Sequence, residues 1–362
     1  MRQGEFEFSS SDGIVKFIPK TRYQGSKRKI AKELFSVFKE FSGQKALDLF
    51  SGSGTVSLLM RLNGITVHAN DGLKFNSICS SVLLRKVGTK FDYNEVIVIL
   101  KDCLQNKIDN NRNLIEKNYQ GIFYTDDENC ELDRFCQNII SVDPEFREVL
   151  LYSMGQAMLM KRPYNLFHRA NLIMRTKDVE RSFGNIKTWN TSFFNHCQKI
   201  IKSLADFPEF ANTENHIIST INTRSLDEFS ESYDLVYLDP PYLSGAGRPT
   251  KYDDFYHFLD GLCDYNKFQE FDDSYDHRPI LDLQSRWNNK KESVKEIHEI
   301  LEKWNKQTIV LSYRDDGFPD IETIYEIFKY HGRSNITNIK LEYKYALSHS
   351  KTTSEIVLVS RL

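Results

Sequence analysis

The strongest constraint on the fold is a succession of short strand-like runs that alternate with helical segments. The strand-like runs are rich in Val, Ile, Leu and Tyr, end at turn-forming residues, and span 45–50, 66–69, 233–238 and 308–313. Apolar residues at helical spacing lie between them, over 29–41, 55–62 and 293–304. This alternation predicts an α/β fold with a mostly parallel sheet that is covered by helices on both faces.

Two interruptions and a closing hairpin modify this plan. Residues 339–347 and 355–359 are typical of a hairpin, which would add antiparallel strands at one side of the sheet. The stretch after about residue 90 is mainly helical in pattern and too long for a structureless loop. We therefore predict a discontinuous domain formed by 1–90 and 215–362, with a helical subdomain inserted at 91–214. A second, smaller insertion is predicted at 244–292.

Composition excludes several classes of protein. The 362 residues are 40% hydrophobic and 27% charged, which is ordinary for a soluble globular protein. The longest charge-free runs, such as 149–160, fall short of the roughly 20 residues of a membrane span. The first twenty residues are charged throughout, unlike a secretory signal. We expect a cytoplasmic protein with no membrane segment.

The patterns of cysteine and charged residues further restrict the kinds of site that we expect in this protein. The six cysteines form no C-x-x-C pair and no Cys/His cluster of zinc spacing, so we expect reduced, mostly buried thiols and no metal. The net charge of −2 argues against an overall basic nucleic-acid binder. Residues 161–187 are nevertheless locally basic, with seven Lys or Arg. Taken alone, such a run is either a solvated face or a binding surface.

The first chemical motif is a glycine-containing turn, Asp48 to Gly54, between a strand-like run and a helix. Glycine there lets the backbone approach a ligand closely. Asp71 follows about 20 residues later, after a second strand, which suits a carboxylate that binds ribose hydroxyls. A full G-x-G-x-x-G is missing, because Leu58 and Leu59 occupy the region of a third glycine. The motif favours a nucleotide-like ligand over a dinucleotide; the alternative is an incidental strand-to-helix turn.

The second motif is Asp239-Pro240-Pro241-Tyr242, directly after the strand-like run 233–238. The exocyclic amine of adenine is a poor nucleophile because its lone pair is delocalised into the ring. A carboxylate and a carbonyl that both accept its N–H groups would favour a nucleophilic geometry. Two prolines stiffen the turn, so the Asp239 carboxylate and the Pro240 carbonyl would be aimed at one point. Tyr242 offers a ring on which an unstacked base can lie; the alternative is a rigid turn with a packed tyrosine.

The third motif, Tyr23 to Lys29 (YQGSKRK), precedes the first helix and on its own is equally a solvated N-terminal turn. In this order, the motifs resemble the Dam-like DNA adenine methyltransferases of the alpha class. Three further elements are similar to that family: LSYRDDG at 311–317, YKYALS at 343–348 and FGNIKTW at 183–189. The resemblance covers most of the chain, and the D-P-P-Y element in this order is its most specific part.

The resemblance implies a Rossmann-like class I methyltransferase sheet with S-adenosylmethionine as the methyl donor. By matching positions, Tyr23 and Lys27 would hold the carboxylate end of the methionine. Asp71 would bind the ribose. The complete set implied for the cofactor is Tyr23, Gly25, Lys27, Asp48, Phe50, Gly52, Gly54, Asp71, Asn222 and Thr223. The last two stand where family members commonly carry an acidic contact to the cofactor's adenine.

The expected reaction is a direct methyl transfer to an adenine flipped out of duplex DNA, within a restriction-modification system. The base would stack on Tyr242 and donate hydrogen bonds to Asp239 and Pro240. Phosphate contacts are expected mainly from the basic segment: Arg162, Arg169, Arg175, Lys177, Arg181, Lys187 and, near the end of the chain, Lys351. The expected partners are double-stranded DNA and a companion restriction endonuclease, with the protein itself a monomer or weak dimer.

Two alternatives remain open at this stage. A methyltransferase acting on RNA, cytosine or a protein amide uses a similar proline-proline-aromatic pocket. A catalytically silent DNA-binding regulator would retain the fold, although the intact motifs argue against decay. A fused nuclease is set aside, because no E-x-K follows Pro319-Asp320.

Overall fold

The structure, a computed structural model, describes residues 18–23, 25–167, 172–175, 186–210, 215–244, 252–280, 285–343 and 353–361. The strands in these residues are β1 (Lys45–Asp48), β2 (Thr66–Asn70), β3 (Ile217–Ser219), β4 (Leu235–Leu238), β5 (Leu243–Ser244), β6 (Thr308–Arg314), β7 (Gly317–Phe318), β8 (Asn335–Tyr343) and β9 (Thr353–Arg361). Seven of them form one sheet in the order β3-β2-β1-β4-β6-β9-β8, and β5 pairs with β7 separately.

The main sheet is parallel except for one strand. The pairs β1–β2, β1–β4, β2–β3 and β4–β6 are parallel, whereas β9 runs antiparallel to both β6 and β8. The predicted mostly parallel sheet with an antiparallel hairpin at one side is confirmed. The strand β3 was not predicted, because three residues are too few to show an alternating pattern.

The helices in the described residues are α1 (Ala31–Phe38), α2 (Thr55–Leu62), α3 (Lys74–Arg85), α4 (Tyr93–Gln105), α5 (Leu114–Asn118), α6 (Asp126–Asn138), α7 (Pro144–Met160), α8 (Ile186–Asn190), α9 (Phe193–Ala205), α10 (Tyr252–Cys263), α11 (Lys290–Lys303) and α12 (Ile321–Tyr330). The predicted helix at 55–62 has the same bounds as α2. The predicted 293–304 helix begins earlier, because the Asn289 side chain accepts the amide N–H groups of Lys291 and Glu292 and caps α11 at Lys290.

Side chains of alternate strand residues fill two separate cores, one on each face of the sheet. In β6, Ile309 and Leu311 enter the core beneath α11 and α12, while Val310 enters the opposite core with α1, α2 and α3. This period of two follows from the pleat of a strand. Both faces of the sheet are therefore buried, as expected for a parallel sheet with crossover helices.

The long interruption between α3 and β3 is helical, as predicted, with α4 to α9 in its described part. Its longest helix, α7, is buried over most of its length and packs against α3 and α9. The apolar core of this insert is continuous with the core on the α3 face of the sheet. The insert is thereby held in a fixed place beside the sheet. In the described part of the chain, no helix is long and apolar enough to cross a membrane.

The six cysteines are all free, and four of them, Cys79, Cys103, Cys136 and Cys197, are buried. The expected mostly buried thiols are thus confirmed. Burial raises the pKa of Cys103 to about 11, so this thiol is protonated at neutral pH and serves as a small apolar side chain.

Candidate active site

The candidate active site is a cleft at the carboxyl ends of the central parallel strands. Asp48 is the last residue of β1, Asp71 directly follows β2, and Asp239 directly follows β4. In a parallel sheet these ends meet at one edge, so residues far apart in the sequence come together there. The cleft encloses about 1080 Å³, its open side included.

Most of the residues predicted to bind a cofactor line this cleft. They are Tyr23, Gly25, Lys27, Asp48, Phe50, Gly52, Asp71, Asn222 and Thr223. The exception is Gly54, which lies outside the lining. A Cβ atom on Gly54 would lie only 3.0 Å from the Cα atom of Ser80 in α3, and its φ of +73° is a left-handed conformation that favours glycine. Gly54 therefore allows α2 and α3 to pack closely, and its contact with the cofactor stays a prediction.

Asp71 ties the glycine turn to the end of β2. Its carboxylate accepts hydrogen bonds from the amide N–H of Gly52 (2.8 Å), the amide N–H of Leu73 (2.9 Å) and the side chain of Asn76 (3.0 Å). Burial raises the pKa of Asp71 above its ordinary value, although these donors act in the opposite direction. The acidic residue that spacing alone suggested is thus placed at the cleft and held in one orientation.

Asp48 is a buried acid with one oxygen still available. Ser57 Oγ donates a hydrogen bond to its Oδ2 at 2.6 Å. Within the described residues, Oδ1 is buried and has no hydrogen-bond partner. Burial raises the pKa of Asp48 to about 7. A buried acceptor without a partner is costly, so this oxygen is suited to a cationic or hydrogen-bond-donating ligand in the cleft.

Asp239 forms part of a three-membered charge cluster with Lys27 and Glu355, which we call the cleft cluster. Lys27 Nζ lies 2.7 Å from Asp239 Oδ1 and 3.1 Å from Glu355 Oε1. Burial lowers the pKa of Lys27, but attraction by the two carboxylates outweighs this effect and raises it well above its ordinary value. Burial raises the pKa of Asp239, and Lys27 opposes that rise. Lys27 is therefore a stable cation between two acids.

The proline turn after β4 presents Asp239 and Pro241 to the cleft, and Pro240 between them is buried. Tyr242 is half-buried and lies beside the lining residues. Its ring packs edge-on against Tyr313, with centroids 5.8 Å apart, and the Arg314 guanidinium lies 5.3 Å from the ring centroid. The turn is therefore fixed both by its prolines and by the packing of its tyrosine.

A buried acid at a proline-locked strand end, beside a glycine turn, is the geometry that the sequence resemblance implied. The family model for D12 class N6 adenine-specific DNA methyltransferases matches residues 23–309, which is most of the chain and includes the glycine turn and the D-P-P-Y element. The chain belongs to this family. The resemblance drawn from the order of the motifs is confirmed, and the seven-stranded sheet is consistent with the class I methyltransferase fold.

Two curated proteins are similar to this methyltransferase. The type II methyltransferase M2.HphI of Haemophilus parahaemolyticus is 26% identical over 337 residues, which cover 91% of this chain and 93% of that protein. The type II methyltransferase M.FokI of Planomicrobium okeanokoites is 33% identical over 125 residues, covering 34% of this chain and 18% of that protein. No solved structure matches the chain.

No sequence motif singled out Trp287, which lines the methyltransferase cleft, or Tyr256, which packs against the lining residue Tyr23. Trp287 and Phe50 form an apolar wall, with ring centroids 5.4 Å apart and nearly perpendicular planes. Tyr23 stacks on Tyr256 of α10 at 4.3 Å. Both partners come from the second insertion, which carried no motif. Their position follows from long-range packing, so local sequence gave no signal for them.

Another missed group is Glu296 of α11, a fully buried acid close to the cleft. It interacts with the Thr223 side chain and lies 3.1 Å from a guanidinium nitrogen of Arg286. Asn222 and Thr223 stand where family members commonly carry an acidic residue that contacts the cofactor's adenine. The structure brings an acid to this region from a different element, about seventy residues later in the chain.

Two predicted DNA contacts are corrected by burial. Arg162 is 1% exposed, and its guanidinium donates hydrogen bonds to the carbonyl oxygens of Phe123 and Leu166. The Arg175 side chain is 5% exposed and forms an ion pair with Glu128. Both guanidinium groups are used inside the insert, so neither is available to a phosphate in this conformation.

Of the remaining predicted DNA contacts, Lys187 alone belongs to the described part of the chain. Lys187 is exposed at the second residue of α8, as a phosphate contact requires. Arg169, Lys177, Arg181 and Lys351 lie outside the described residues, as do parts of the segments FGNIKTW and YKYALS. These contacts stay predictions.

Proposed function

We propose that this adenine-specific DNA methyltransferase uses S-adenosylmethionine and acts on an adenine that has been turned out of duplex DNA. One observation supports the proposal above all. The Asp239 carboxylate of the D-P-P-Y turn and the glycine turn with Asp48 and Asp71 line a single cleft. A methyl donor and an amine acceptor must share one space for direct transfer, because proximity and orientation supply much of the rate.

The cleft residues fit the functional groups of S-adenosylmethionine. The unpartnered Asp48 Oδ1 suits the amino group of its methionine part. Asp71, fixed by three donors, suits the ribose hydroxyls. The wall of Phe50 and Trp287 suits the adenine ring. When bound, this cofactor supplies a methyl group on a sulfonium centre, which is already a strong methyl donor and needs no metal.

The protein's own contribution is to position and activate the amine. We assign Asp239 as the acceptor of one N–H of the target amino group, with the carbonyl oxygen of Pro240 as the second acceptor. The nitrogen gains positive charge as its bond to the methyl group forms, and the ionised carboxylate stabilises that charge. Asp239 then takes up the proton that the methylated nitrogen releases, which restores neutral N6-methyladenine.

Flipping the base requires compensation by contacts outside the cleft. Unstacking and unpairing cost on the order of a few kcal/mol, and contacts with the phosphates offset part of this cost. Among the described basic residues of the insert, Lys187 is a suitable contact because it is exposed. We retain Arg169, Lys177, Arg181 and Lys351 in the same proposed role. Tyr242 is proposed to stack on the flipped base.

The methyl-transfer test uses S-adenosylmethionine labelled with tritium on its methyl group. The purified protein is incubated separately with unmethylated duplex DNA, RNA and a protein mixture, and the labelled DNA is hydrolysed to nucleosides. We expect label in DNA alone and only as N6-methyl-2′-deoxyadenosine. Label in methylated cytosine, in RNA or in protein would contradict the proposed acceptor. Expression in a methylation-free host, followed by long-read sequencing, then gives the recognition sequence.

A role in a restriction-modification system is proposed from the relatives, both of which are named as type II methyltransferases. A companion endonuclease that cuts the same sequence would then be the functional partner. Protection provides the test: DNA from the methylation-free host expressing this protein should resist cleavage by that endonuclease, and full digestion would contradict the pairing.

A further inference from the structure

Glu355 is a buried acid that no motif singled out, and it contacts the cleft-lining residue Lys27. It lies in β9, and its side chain is only 3% exposed. Ser312 Oγ of the neighbouring strand β6 donates a hydrogen bond to its Oε1 at 2.8 Å. The same oxygen lies 3.1 Å from Lys27 Nζ. The carboxylate is thus fixed on two sides, and one of its contacts is the lysine that also holds Asp239.

The number of charges in the cleft cluster is unusual for a buried site. With all three groups ionised, Lys27, Asp239 and Glu355 carry one positive and two negative charges, for a net charge of −1. A single Lys27–Asp239 pair would be neutral. Charges removed from water interact strongly and are costly unless they are paired. Two acids that share one lysine are therefore expected where the extra negative charge interacts with a ligand or a reacting group.

We propose that Glu355 is a positioning residue for methyl transfer: it neutralises Lys27, so that the negative charge of Asp239 stays available to the amino group of the target base. This inference rests on the proposed function of Asp239. Lys27 contacts Oδ1 of Asp239, and we assign the amino group of the base to the other oxygen. Glu355 acts through Lys27 and touches neither reactant.

Glu355 matters for the rate because the charge on the target amino group changes during the reaction. The amino nitrogen becomes more positive as the methyl group is transferred, so a site with a net negative charge stabilises the transition state more than the ground state. If Glu355 were neutral, Lys27 would offset Asp239 and the cluster would present no net charge. The barrier would rise, while binding of neutral groups of the substrate would change little.

The way in which the methyl-transfer rate falls at low pH should depend on the charge of Glu355. Among the described residues, the charged and titratable groups that face Asp239 are Lys27, Glu355, Tyr237 and, through Tyr242, Arg314, with Asp48 nearby. Burial raises the pKa of Asp239, Lys27 lowers it, and the like charge of Glu355 raises it. Two interacting carboxylates titrate as a pair. Removing the charge of Glu355 should therefore move the acid limb of the rate profile to lower pH.

The experiment compares the wild type with Glu355→Gln, which keeps the shape of the side chain and removes its charge. Single-turnover methyl transfer is measured from pH 5 to pH 9 with saturating DNA and S-adenosylmethionine, and cofactor affinity is measured by calorimetry. We expect the rate at pH 8 to fall roughly ten- to a hundredfold, the acid limb to move to lower pH, and the cofactor Kd to stay within about twofold. The control is Glu326→Gln, an equal change of charge at an exposed position of α12, which should leave all three quantities unchanged.

Each outcome decides the matter. An unchanged rate, or a lower rate with an unmoved acid limb, would overturn the proposal and leave Glu355 a structural residue. If the glutamine variant does not fold, Glu355→Asp decides, because it keeps the charge but moves it away from Lys27. That variant should lose roughly tenfold in rate with unchanged cofactor affinity, and a wild-type rate would overturn the proposal. Failure of the proposed function itself would be visible in the wild type, as label in another acceptor.

Discussion

Two clusters of three charged side chains in the described residues differ in what surrounds them. The cleft cluster has one cation and two acids, Lys27, Asp239 and Glu355. The second, which we call the insert cluster, has two cations and one acid in direct contact: Lys161, Arg175 and Glu128. Among these contacting groups, acids outnumber cations in the cleft, and cations outnumber acids in the insert.

In the insert cluster, carbonyl oxygens and an aromatic ring surround the two cations. Lys161 also donates hydrogen bonds to the carbonyl oxygens of Trp189 and Thr191, and the Arg175 guanidinium lies over the ring of Tyr124. In the cleft, by contrast, Asp239 remains 21% exposed and lines an open space. A buried charge enclosed by carbonyl oxygens and rings holds a structure together, whereas one that faces a cleft is available for chemistry.

The largest expected effect removes the charge of Asp239. Asp239→Asn should lower methyl transfer by about a thousandfold or more, because the amide does not accept the proton of the amine or stabilise its positive charge. Cofactor binding, measured by calorimetry, should persist. Methyl transfer at more than a tenth of the wild-type rate would show that the cleft cluster is structural, like the insert cluster.

The second prediction tests the insert cluster in the same way. Glu128→Gln removes the acid that both Lys161 and Arg175 contact and should lower the free energy of unfolding by roughly 2–3 kcal/mol. This is below the ~3–5 kcal/mol for a fully enclosed pair, because the Glu128 side chain is 14% exposed. Urea unfolding measures the change, and the folded variant should bind cofactor normally. The control Asp127→Ala, at an exposed neighbour, should cost less than about 1 kcal/mol.

The third prediction concerns how pH acts on the cleft. Because burial raises the pKa of Asp48 to about 7, this acid is partly protonated near neutral pH. A ligand ammonium group binds the ionised form, so cofactor affinity should fall towards tenfold per pH unit below about pH 7. Calorimetry between pH 5 and 8 measures this dependence. Asp48→Asn should bind weakly at every pH, and an unchanged slope in that variant would assign the titration to another group.

The smallest expected effect lies on the surface of the insert. Lys187→Ala should weaken DNA binding only a few-fold and should lower the magnitude of the slope of log affinity against log salt concentration by roughly 0.9. Fluorescence anisotropy at several salt concentrations measures both. Lys329→Ala, at an exposed lysine of α12, is the control. An equal change in the two variants would mean that Lys187 contributes only general positive charge.

The sequence predicted the parts of the cleft that depend on local pattern. The strand, glycine turn and helix around Asp48 are contiguous, and so are the strand and proline turn that present Asp239; both were placed correctly. Glu355 and Trp287 were missed, because they reach the cleft through strand order and packing across the whole chain. Arg162 was misassigned for a related reason: a basic side chain looks the same in a sequence whether it faces solvent or the carbonyl oxygen of Phe123.

The position of β9 has a consequence for how the enzyme is made. This strand lies between β6 and β8 in the sheet, yet the ribosome delivers it after both of them. Until residues 353–361 have emerged, a nascent chain holds its glycine turn and its D-P-P-Y turn but lacks the strand between β6 and β8 that carries Glu355. Insertion of β9 completes the sheet. We therefore expect a chain that ends before residue 353 to lack methyl-transfer activity.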